Sequence, residues 1–285
     1  MNVKLMKYLC SSTQEVLKNT VHSYLLKKYD NVIHTHDYLF AEGTLPICLV
    51  AHLDTVFPNT PNEIYYDQEQ KVMWSPQGLG ADDRAGVYAI LEILEAGYRP
   101  SVVFTTNEEI GGLGALKLIE DYPECPFSNL KAIIELDRQG EKDCVFYDCD
   151  NVDFENYIHS FGFTPAFGTF SDISFIAPQW GAAAVNLSVG YVNEHSERER
   201  LFAEHLDATI ERVKEILNKS ISMMSYAYIP LDFSFVFDCA ICSQPLCANN
   251  CETVKVQGVT FHICNNCYNQ YYKSNSPKRH KKKRK

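Results

Sequence analysis

Continuous apolar runs that alternate with helix-like segments constrain the fold of this chain more than any other feature. The run "LPICLVA" (45–51) is apolar without alternation, which is typical of a strand that is covered on both faces of a sheet. Similar runs follow at "SVVFTT" (101–106), "KAIIELD" (131–137) and "GAAAVNLSVG" (181–190), and segments with helical spacing lie between them. This alternation predicts an α/β domain with a mostly parallel, doubly covered central sheet.

The other segments carry weaker patterns. Apolar spacing predicts one helix within residues 3–29 and a long helix over about 197–218. Two polar stretches, 31–43 and 62–78, have the alternation of hairpin arms. A further strand near residues 144–149 is predicted to lead into another helix.

Acidic and histidine side chains follow the predicted strands, where the loops of a parallel sheet converge on ligands. Taken singly, each is explained by a helix N-cap or a structural histidine. Their recurrence at successive strand ends is hard to assign to chance, and His, Asp and Glu together are ligands for zinc or a similar divalent metal. Two metals bridged by one carboxylate would offset the repulsion between so many acids. The residues are His52, Asp54, Asp82, Asp83, Glu108, Glu109, Asp137 and His195.

Five motifs in this order resemble the co-catalytic zinc exopeptidase superfamily of aminopeptidases, carboxypeptidases and N-acyl amino acid deacylases. They are "AHLDTV", "GLGADDRAG", "TTNEEIGGLGA", "IIELD" and "NEHSERE". The second and third are especially similar to the motifs of tripeptide aminopeptidases, and the resemblance covers roughly residues 44–217. Only 29 residues separate His52 from Asp82, and only 57 separate Asp137 from His195. The resemblance therefore implies a minimal, single-domain form without the inserted lid domains of other branches.

The resemblance also implies a role for each residue. Asp82 would bridge two Zn²⁺ ions, or Co²⁺ or Mn²⁺, and Glu108 would act as general base and acid on a metal-bridging water. Asp54 would orient His52, and Asp83 would serve the geometry of its turn. A Ser-Asp turn at Ser171 and Asp172 would lie beneath the active site, or would simply cap a helix. The remaining implied ligands are His52 and Asp137 on one metal, and Glu109 and His195 on the other.

Cysteine clusters near the end of the chain. "CAIC" and "CNNC" lie 21 residues apart and form a strong four-thiolate zinc pattern, with Cys239, Cys242, Cys264 and Cys267 as ligands of one structural Zn²⁺. The order of knuckle, hairpin and helix resembles a treble-clef or zinc-ribbon module, which is too short for a core of its own and would fold around the metal. Cys247 and Cys251 are left as alternative ligands, together with His262, or as free thiols.

Charge is distributed unevenly along the chain. The net charge is -10, but the segment 273–285 holds eight Lys or Arg residues and no acid, so the rest of the chain carries a formal -18. The acidic body argues against nucleic-acid binding by the catalytic domain itself. The basic tail either contacts nucleic acid, works as a nuclear address or is simply solvated. The clustered cysteines and the lack of a signal or membrane segment predict a cytoplasmic protein with no membrane partner.

These observations together predict four parts. Residues 1–225 form a metallohydrolase domain, 226–238 a connector, 239–273 the zinc module and 274–285 the basic tail. The expected activity is that of a di-zinc, aminopeptidase-like exopeptidase acting on a peptide. The alternatives are an N-acyl amino acid deacylase and an adaptor that binds nucleic acid or a ribonucleoprotein. The sequence leaves open which peptide end is cleaved, the native metal and the oligomeric state.

Overall fold

The computed structural model describes residues 1–231, 237–242, 245–246, 251–256 and 259–273. The chain divides into two units, Met1–Pro230 and Leu231–Lys285. In chain order the helices of the first unit are α1 (Val3–Cys10), α2 (Gln14–Leu25), α3 (Ala81–Glu95), α4 (Leu113–Asp121), α5 (Val152–His159), α6 (Ile173–Trp180) and α7 (Ala203–Lys219). Its strands are β1 (Ile33–His34), β2 (Tyr38–Ala41), β3 (Leu45–His52), β4 (Tyr65–Asp67), β5 (Val72–Trp74), β6 (Pro100–Thr105), β7 (Ala132–Arg138), β8 (Asp143–Val145), β9 (Thr164–Pro165), β10 (Ala184–Ser188), β11 (Tyr191–Val192) and β12 (Arg200–Phe202).

An eight-stranded sheet with the order β1-β2-β6-β3-β7-β10-β8-β9 forms the centre of this unit. The four middle strands, β6, β3, β7 and β10, pair in parallel. Their alternate side chains enter two cores. On one face they pack with buried residues of α1, α2, α3, α5 and α7, and on the other with those of α4 and α6. The predicted α/β class, with a mostly parallel and doubly covered sheet, is confirmed.

A second, four-stranded sheet has the order β11-β12-β5-β4 and is antiparallel throughout. The hairpin predicted at 62–78 supplies β4 and β5. No helix within the described part of the chain is long and apolar enough to cross a membrane.

Two of the predicted helices had wrong boundaries. The N-terminal helix is two helices, α1 and α2, because the side chain of Thr13 accepts a hydrogen bond from the backbone of Val16 and starts a new helix. The helix predicted from 197 begins only at Ala203, because Arg200–Phe202 pairs with β5 as strand β12 and its central residue, Leu201, is fully buried. The short helix α6 follows the Ser171-Asp172 turn. The sequence indicated a helix there only through the alternative in which this turn is a helix N-cap.

The second unit contains two strand pairs and a helical end. Strands β13 (Phe237–Asp238) and β14 (Pro245–Leu246) pair antiparallel, as do β15 (Cys251–Val256) and β16 (Val259–Cys264). Helix α8 (Asn265–Cys267) and a π-helical segment (Tyr268–Lys273) follow. The predicted hairpin is present, and a helix starts at the second cysteine pair, as predicted. The turn at 257–258, residues 232–236 of the connector, Cys247 and the basic tail lie outside the described residues.

Candidate metal centre and active site

The carboxyl ends of neighbouring parallel strands bring the site residues together. His52 is the last residue of β3, Glu108 and Glu109 follow β6, and Asp137 lies at the end of β7. Because β6, β3 and β7 are adjacent and parallel, these side chains share one edge of the sheet. Asp82 enters from the first turn of α3, where its backbone is not yet helical and the peptide bond to the next residue is cis.

Gly86 lets α3 approach the sheet closely. A Cβ at this position would collide with the carbonyl oxygen of Leu136 and the carboxylate of Asp83. The absence of a side chain therefore lets the start of α3 lie directly against β7, which brings Asp82 beside the end of that strand.

Asp82 lies between two histidines, with one carboxylate oxygen toward each. Its Oδ1 is 3.2 Å from Nε2 of His52, and its Oδ2 is 3.0 Å from Nε2 of His195. The same His52 nitrogen is 3.4 Å from Asp137 Oδ1, and the same His195 nitrogen is 3.0 Å from Glu109 Oε2. The carboxylate of Asp82 thus joins two groups of potential ligands in one cluster.

The adjacent glutamates have different surroundings. Glu109 faces His195, whereas Glu108 Oε2 lies 4.0 Å from Nε2 of His52. Asp54 fixes the backbone of both glutamates, since its two carboxylate oxygens accept the backbone N–H groups of Glu108 and Glu109 at 3.1 Å each. Its Oδ1 also lies 3.3 Å from Nδ1 of His52, although without the alignment of a hydrogen bond.

Burial makes the negatively charged form of the carboxylates in the cluster costly. It raises the pKa of Glu108 to about 9, that of Glu109 to about 7 and that of Asp137 to about 6, and neighbouring carboxylates act in the same direction. Burial alone would also raise the pKa of Asp82, but hydrogen bonds from His195 and His52 outweigh it and lower that pKa. In this arrangement the imidazoles of His52 and His195 partly offset the negative charge of the carboxylates. Bound metal cations would offset it more strongly.

The residues present fit divalent metal ions. Imidazole nitrogens and carboxylate oxygens are the donor set of zinc and related metals. The potential ligand atoms of His52, Asp82 and Glu109 lie within 4.8 Å of one another, and so do those of His52, Asp83 and Asp137. Moreover, Oε1 of Glu109 is buried without a hydrogen-bond partner among the described residues, which a metal bond would supply.

Asp83 has a different use, although its position also suits a ligand. Its Oδ2 accepts the backbone N–H of His52 at 3.2 Å, and its Oδ1 accepts that of Gly86 at 2.9 Å. Both oxygens therefore tie the end of β3 to the first turn of α3, which suits the geometric role that the resemblance implied.

Glu199 supports the same turn and was not singled out in the sequence. It is fully buried and accepts the backbone N–H groups of Gly80 at 2.6 Å and Asp82 at 3.0 Å. Burial raises its pKa to about 7. The signal was present in "NEHSERE", where a second glutamate follows His195 by four residues.

A second polar layer lies beneath the cluster. Ser171 donates to the fully buried Glu135 and lies 3.4 Å from Asp137 Oδ2, while Thr105 donates to Asp172. Asp172 precedes α6 but makes no capping hydrogen bond with its side chain. The location beneath the cluster therefore fits these contacts better than the N-cap alternative. Glu135 was missed, although it is the single acid inside an apolar run.

Asp54 offers a first test of the cluster. An Asp54→Asn substitution replaces one of two accepting oxygens with an amide nitrogen that cannot accept the N–H of Glu108 or Glu109. We expect metal affinity to fall about tenfold to a hundredfold, as for groups that orient metal ligands. Competition with a chromogenic chelator measures it, with the exposed Asp153→Asn as the control. An unchanged affinity would mean that Asp54 does not organise the cluster.

Four cysteines of the second unit form a separate cluster. The Sγ atoms of Cys239, Cys242, Cys264 and Cys267 lie within 4.8 Å of one another. Backbone N–H groups also point at sulfur, since Cys239 Sγ accepts from Cys264 at 3.3 Å and Cys264 Sγ accepts from Cys267 at 3.4 Å. These contacts and the four thiols fit a structural zinc ion. Cys251 lies in β15. A role of Cys251 or Cys247 as an alternative zinc ligand stays a prediction.

Fold and donor set together define the class: an α/β protein with a cluster of histidines and carboxylates, suited to two metals, at the carboxyl edge of its sheet. No family model matches the chain, and no curated protein matches it.

Solved structures share the fold. The aminopeptidase PepT from Bacillus cereus ATCC 10987 is 16% identical, with a TM-score of 0.59 over 77% of this chain and 98% of that one. A tripeptidase from Staphylococcus aureus subsp. aureus Mu50 is 15% identical, with a TM-score of 0.58 over 76% and 97%. A TET aminopeptidase from the marine sediment archaeon Thaumarchaeota archaeon SCGC AB-539-E09 is 13% identical, with a TM-score of 0.59 over 75% and 96%. The chain thus has the fold of these aminopeptidases, in agreement with the fold that the sequence motifs implied.

Proposed function

We propose that the unit Met1–Pro230 is a metal-dependent amide-bond hydrolase, specifically an aminopeptidase-like exopeptidase with two divalent cations. The observation that carries the proposal is the position of Asp82, whose two oxygens face His52 and His195 separately. His52, Asp82 and Asp137 would hold one cation, and Asp82, Glu109 and His195 the other. The likeness to the solved aminopeptidases supports this reading at the level of the fold.

The chain's own residues account for the proton transfer. When bound, zinc, cobalt or manganese would polarise the scissile carbonyl and acidify water. Glu108 lies within the cluster and would take the proton from the attacking water, then pass it to the leaving nitrogen. Asp54 fixes the backbone of Glu108 and Glu109, so the base keeps its place beside the ligands.

Cavities on both sides of Glu109 provide room for a substrate. One, of about 310 Å³, is lined by Glu108, Asp137 and His195, and the other, of about 800 Å³, by residues of the loop after Asp54. An amide bond at the cluster would place a small portion of substrate on one side and a larger portion on the other. This asymmetry suits removal of a terminal residue.

A substrate panel tests the proposed activity. We expect the purified, metal-loaded protein to hydrolyse aminoacyl amides or short peptides, and to do so faster than N-acyl amino acids and C-terminally directed substrates. A preference for N-acyl amino acids would favour the deacylase alternative. If no member of the panel is hydrolysed by the metal-loaded protein, the proposed activity is wrong.

The second unit would form a zinc-folded module that begins after a connector near residues 226–238. A Cys264→Ser variant should lose one tightly bound zinc per chain and the fold of the module, because so short a segment is held by its metal. Zinc analysis and far-UV circular dichroism check this, with Cys125→Ser of the first unit as the control. If Cys264→Ser retains its zinc, another side chain takes that place.

The basic tail and its nucleic-acid partner stay a prediction, because residues 274–285 lie outside the described chain. Binding that is lost on deleting this segment and that weakens with salt would support it. Absence of binding at low salt would contradict it.

A further inference from the structure

The smaller cavity is lined by a cationic side chain that has no partner among the described residues. This cavity, of about 310 Å³, lies beside Glu108, Asp137 and His195. Arg138, directly after Asp137, is the only Lys or Arg among the described residues that line it. If the proposed function holds, this cavity receives the part of the substrate that adjoins the scissile bond.

The side chain of Arg138 is half-buried and has no partner among the described residues. Its side chain makes no hydrogen bond and no ion pair with any described residue, and its Nε is buried. Arg84, which lines the larger cavity, is instead bonded to the carbonyl oxygens of Leu53 and Ser12. A guanidinium cannot lose its charge, so a buried and unpaired donor on Arg138 is costly unless a ligand meets it.

The polar groups around Arg138 are engaged elsewhere. Gln139 donates to Glu194 at 2.6 Å, and Asn186 donates to the hydroxyl of Tyr147 at 3.2 Å. Glu194 also lines the cavity, yet no ion pair joins it to Arg138. The acids of the candidate metal centre face the two histidines. The guanidinium therefore has no side-chain partner among the described residues, although polar groups surround it.

We propose that Arg138 binds a carboxylate of the substrate, so that the substrates are small amides with a free carboxylate close to the scissile bond. A carboxylate offers two oxygens to Nε and a terminal nitrogen of the guanidinium at once. A doubly charged phosphate would suit the site less well, because Glu194 lies in the same cavity. A space of about 310 Å³ holds little more than one residue. The carboxylate thus belongs to a residue that adjoins the cleaved bond.

Matched substrates distinguish the two sources of such a carboxylate. One pair compares a dipeptide with its C-terminal amide, and the other compares aminoacyl anilides of glutamate and glutamine. Faster hydrolysis of the dipeptide than of its amide would identify the C-terminal carboxylate as the ligand of Arg138. Faster hydrolysis of the glutamate anilide than of the glutamine anilide would identify the side-chain carboxylate. If neither pair shows a preference for the acid, the proposal is wrong.

Variants of Arg138 then connect that preference to the residue. In Arg138→Met we expect kcat/KM for the preferred acid to fall about tenfold to a hundredfold, mainly through KM, while the amide is little affected. Arg138→Lys should recover part of the loss, and Arg212→Met on α7 is the control. Equal losses on acid and amide would mean that Arg138 has a structural role and would overturn the proposal.

A binding measurement separates this proposal from the proposed activity. Calorimetric titration of the metal-loaded Glu108→Gln variant with N-acetylglycine and glutarate requires no turnover. We expect at least one of these carboxylates to bind, and the added Arg138→Met substitution to abolish the binding. Binding that persists without Arg138 contradicts the proposal. If no substrate is hydrolysed but the binding of the carboxylates still depends on Arg138, only the hydrolase assignment is wrong.

Discussion

Glu108→Gln is expected to lower the rate of amide hydrolysis at least about a hundredfold, within the range found for general-base catalysis. The amide keeps the size of the side chain but cannot accept a proton from water. Glu108 is not needed as a ligand in the proposed arrangement, because Asp82, Glu109 and His195 hold one metal and His52 and Asp137 complete the other. Metal content and thermal stability should therefore stay close to those of the parent. Steady-state kinetics with metal analysis of the same preparation measure both effects.

The Glu69→Gln variant is the control, since it makes the same chemical change at an exposed position in the turn between β4 and β5. A Glu108→Gln protein that hydrolyses the best substrate at the parent rate would show that another group moves the proton. If the variant instead loses metal, Glu108 would be a ligand and the roles of the two adjacent glutamates would have to be exchanged.

Asp82→Ala is expected to have an effect at least as large, because it removes the carboxylate that joins the two groups of ligands. Without it, His52 and His195 lose their shared partner at 3.2 and 3.0 Å. Metal content in the first unit should fall below about one ion per chain. Hydrolysis should fall about a thousandfold or more, since a bound metal supplies several kcal/mol of transition-state stabilisation.

Inductively coupled plasma mass spectrometry after gel filtration gives the metal content, and the zinc proposed for the cysteine cluster should be retained as an internal reference. Asp30→Ala, at an exposed position, is the control. If Asp82→Ala keeps two metals in the first unit, Asp82 does not bridge them.

The sequence predicted the central sheet well because strands that are buried on both faces have continuous apolar runs. Strands such as β3 and β7 must be apolar along most of their length, and apart from Glu135 the charged residues that break this rule lie at their ends. His52 and Asp137 stand out for that reason. The parallel order of the strands then brings them to one edge, so both fold and site follow from the same pattern.

Other features depend on contacts that a linear pattern does not record. Thr13 divides one apolar helical pattern into two helices, and Leu201 enters a strand that is stabilised by pairing with β5 and β11. Glu199 acts on a turn more than a hundred residues earlier in the chain. Glu135 belongs to the polar layer beneath the cluster through its contact with Ser171, which is distant in the sequence. The isolation of Arg138 from side-chain partners among the described residues depends on contacts that the sequence does not record.

Metal titration of the hydrolytic rate tests the central claim most directly. The protein is stripped of weakly held metal, and zinc, cobalt or manganese is added in steps while hydrolysis of the best substrate is followed. We expect almost no activity at the start, a rise with added metal, and saturation near two equivalents beyond the metal held by the cysteines. Full activity in the stripped protein, or none at any metal concentration, would contradict the account.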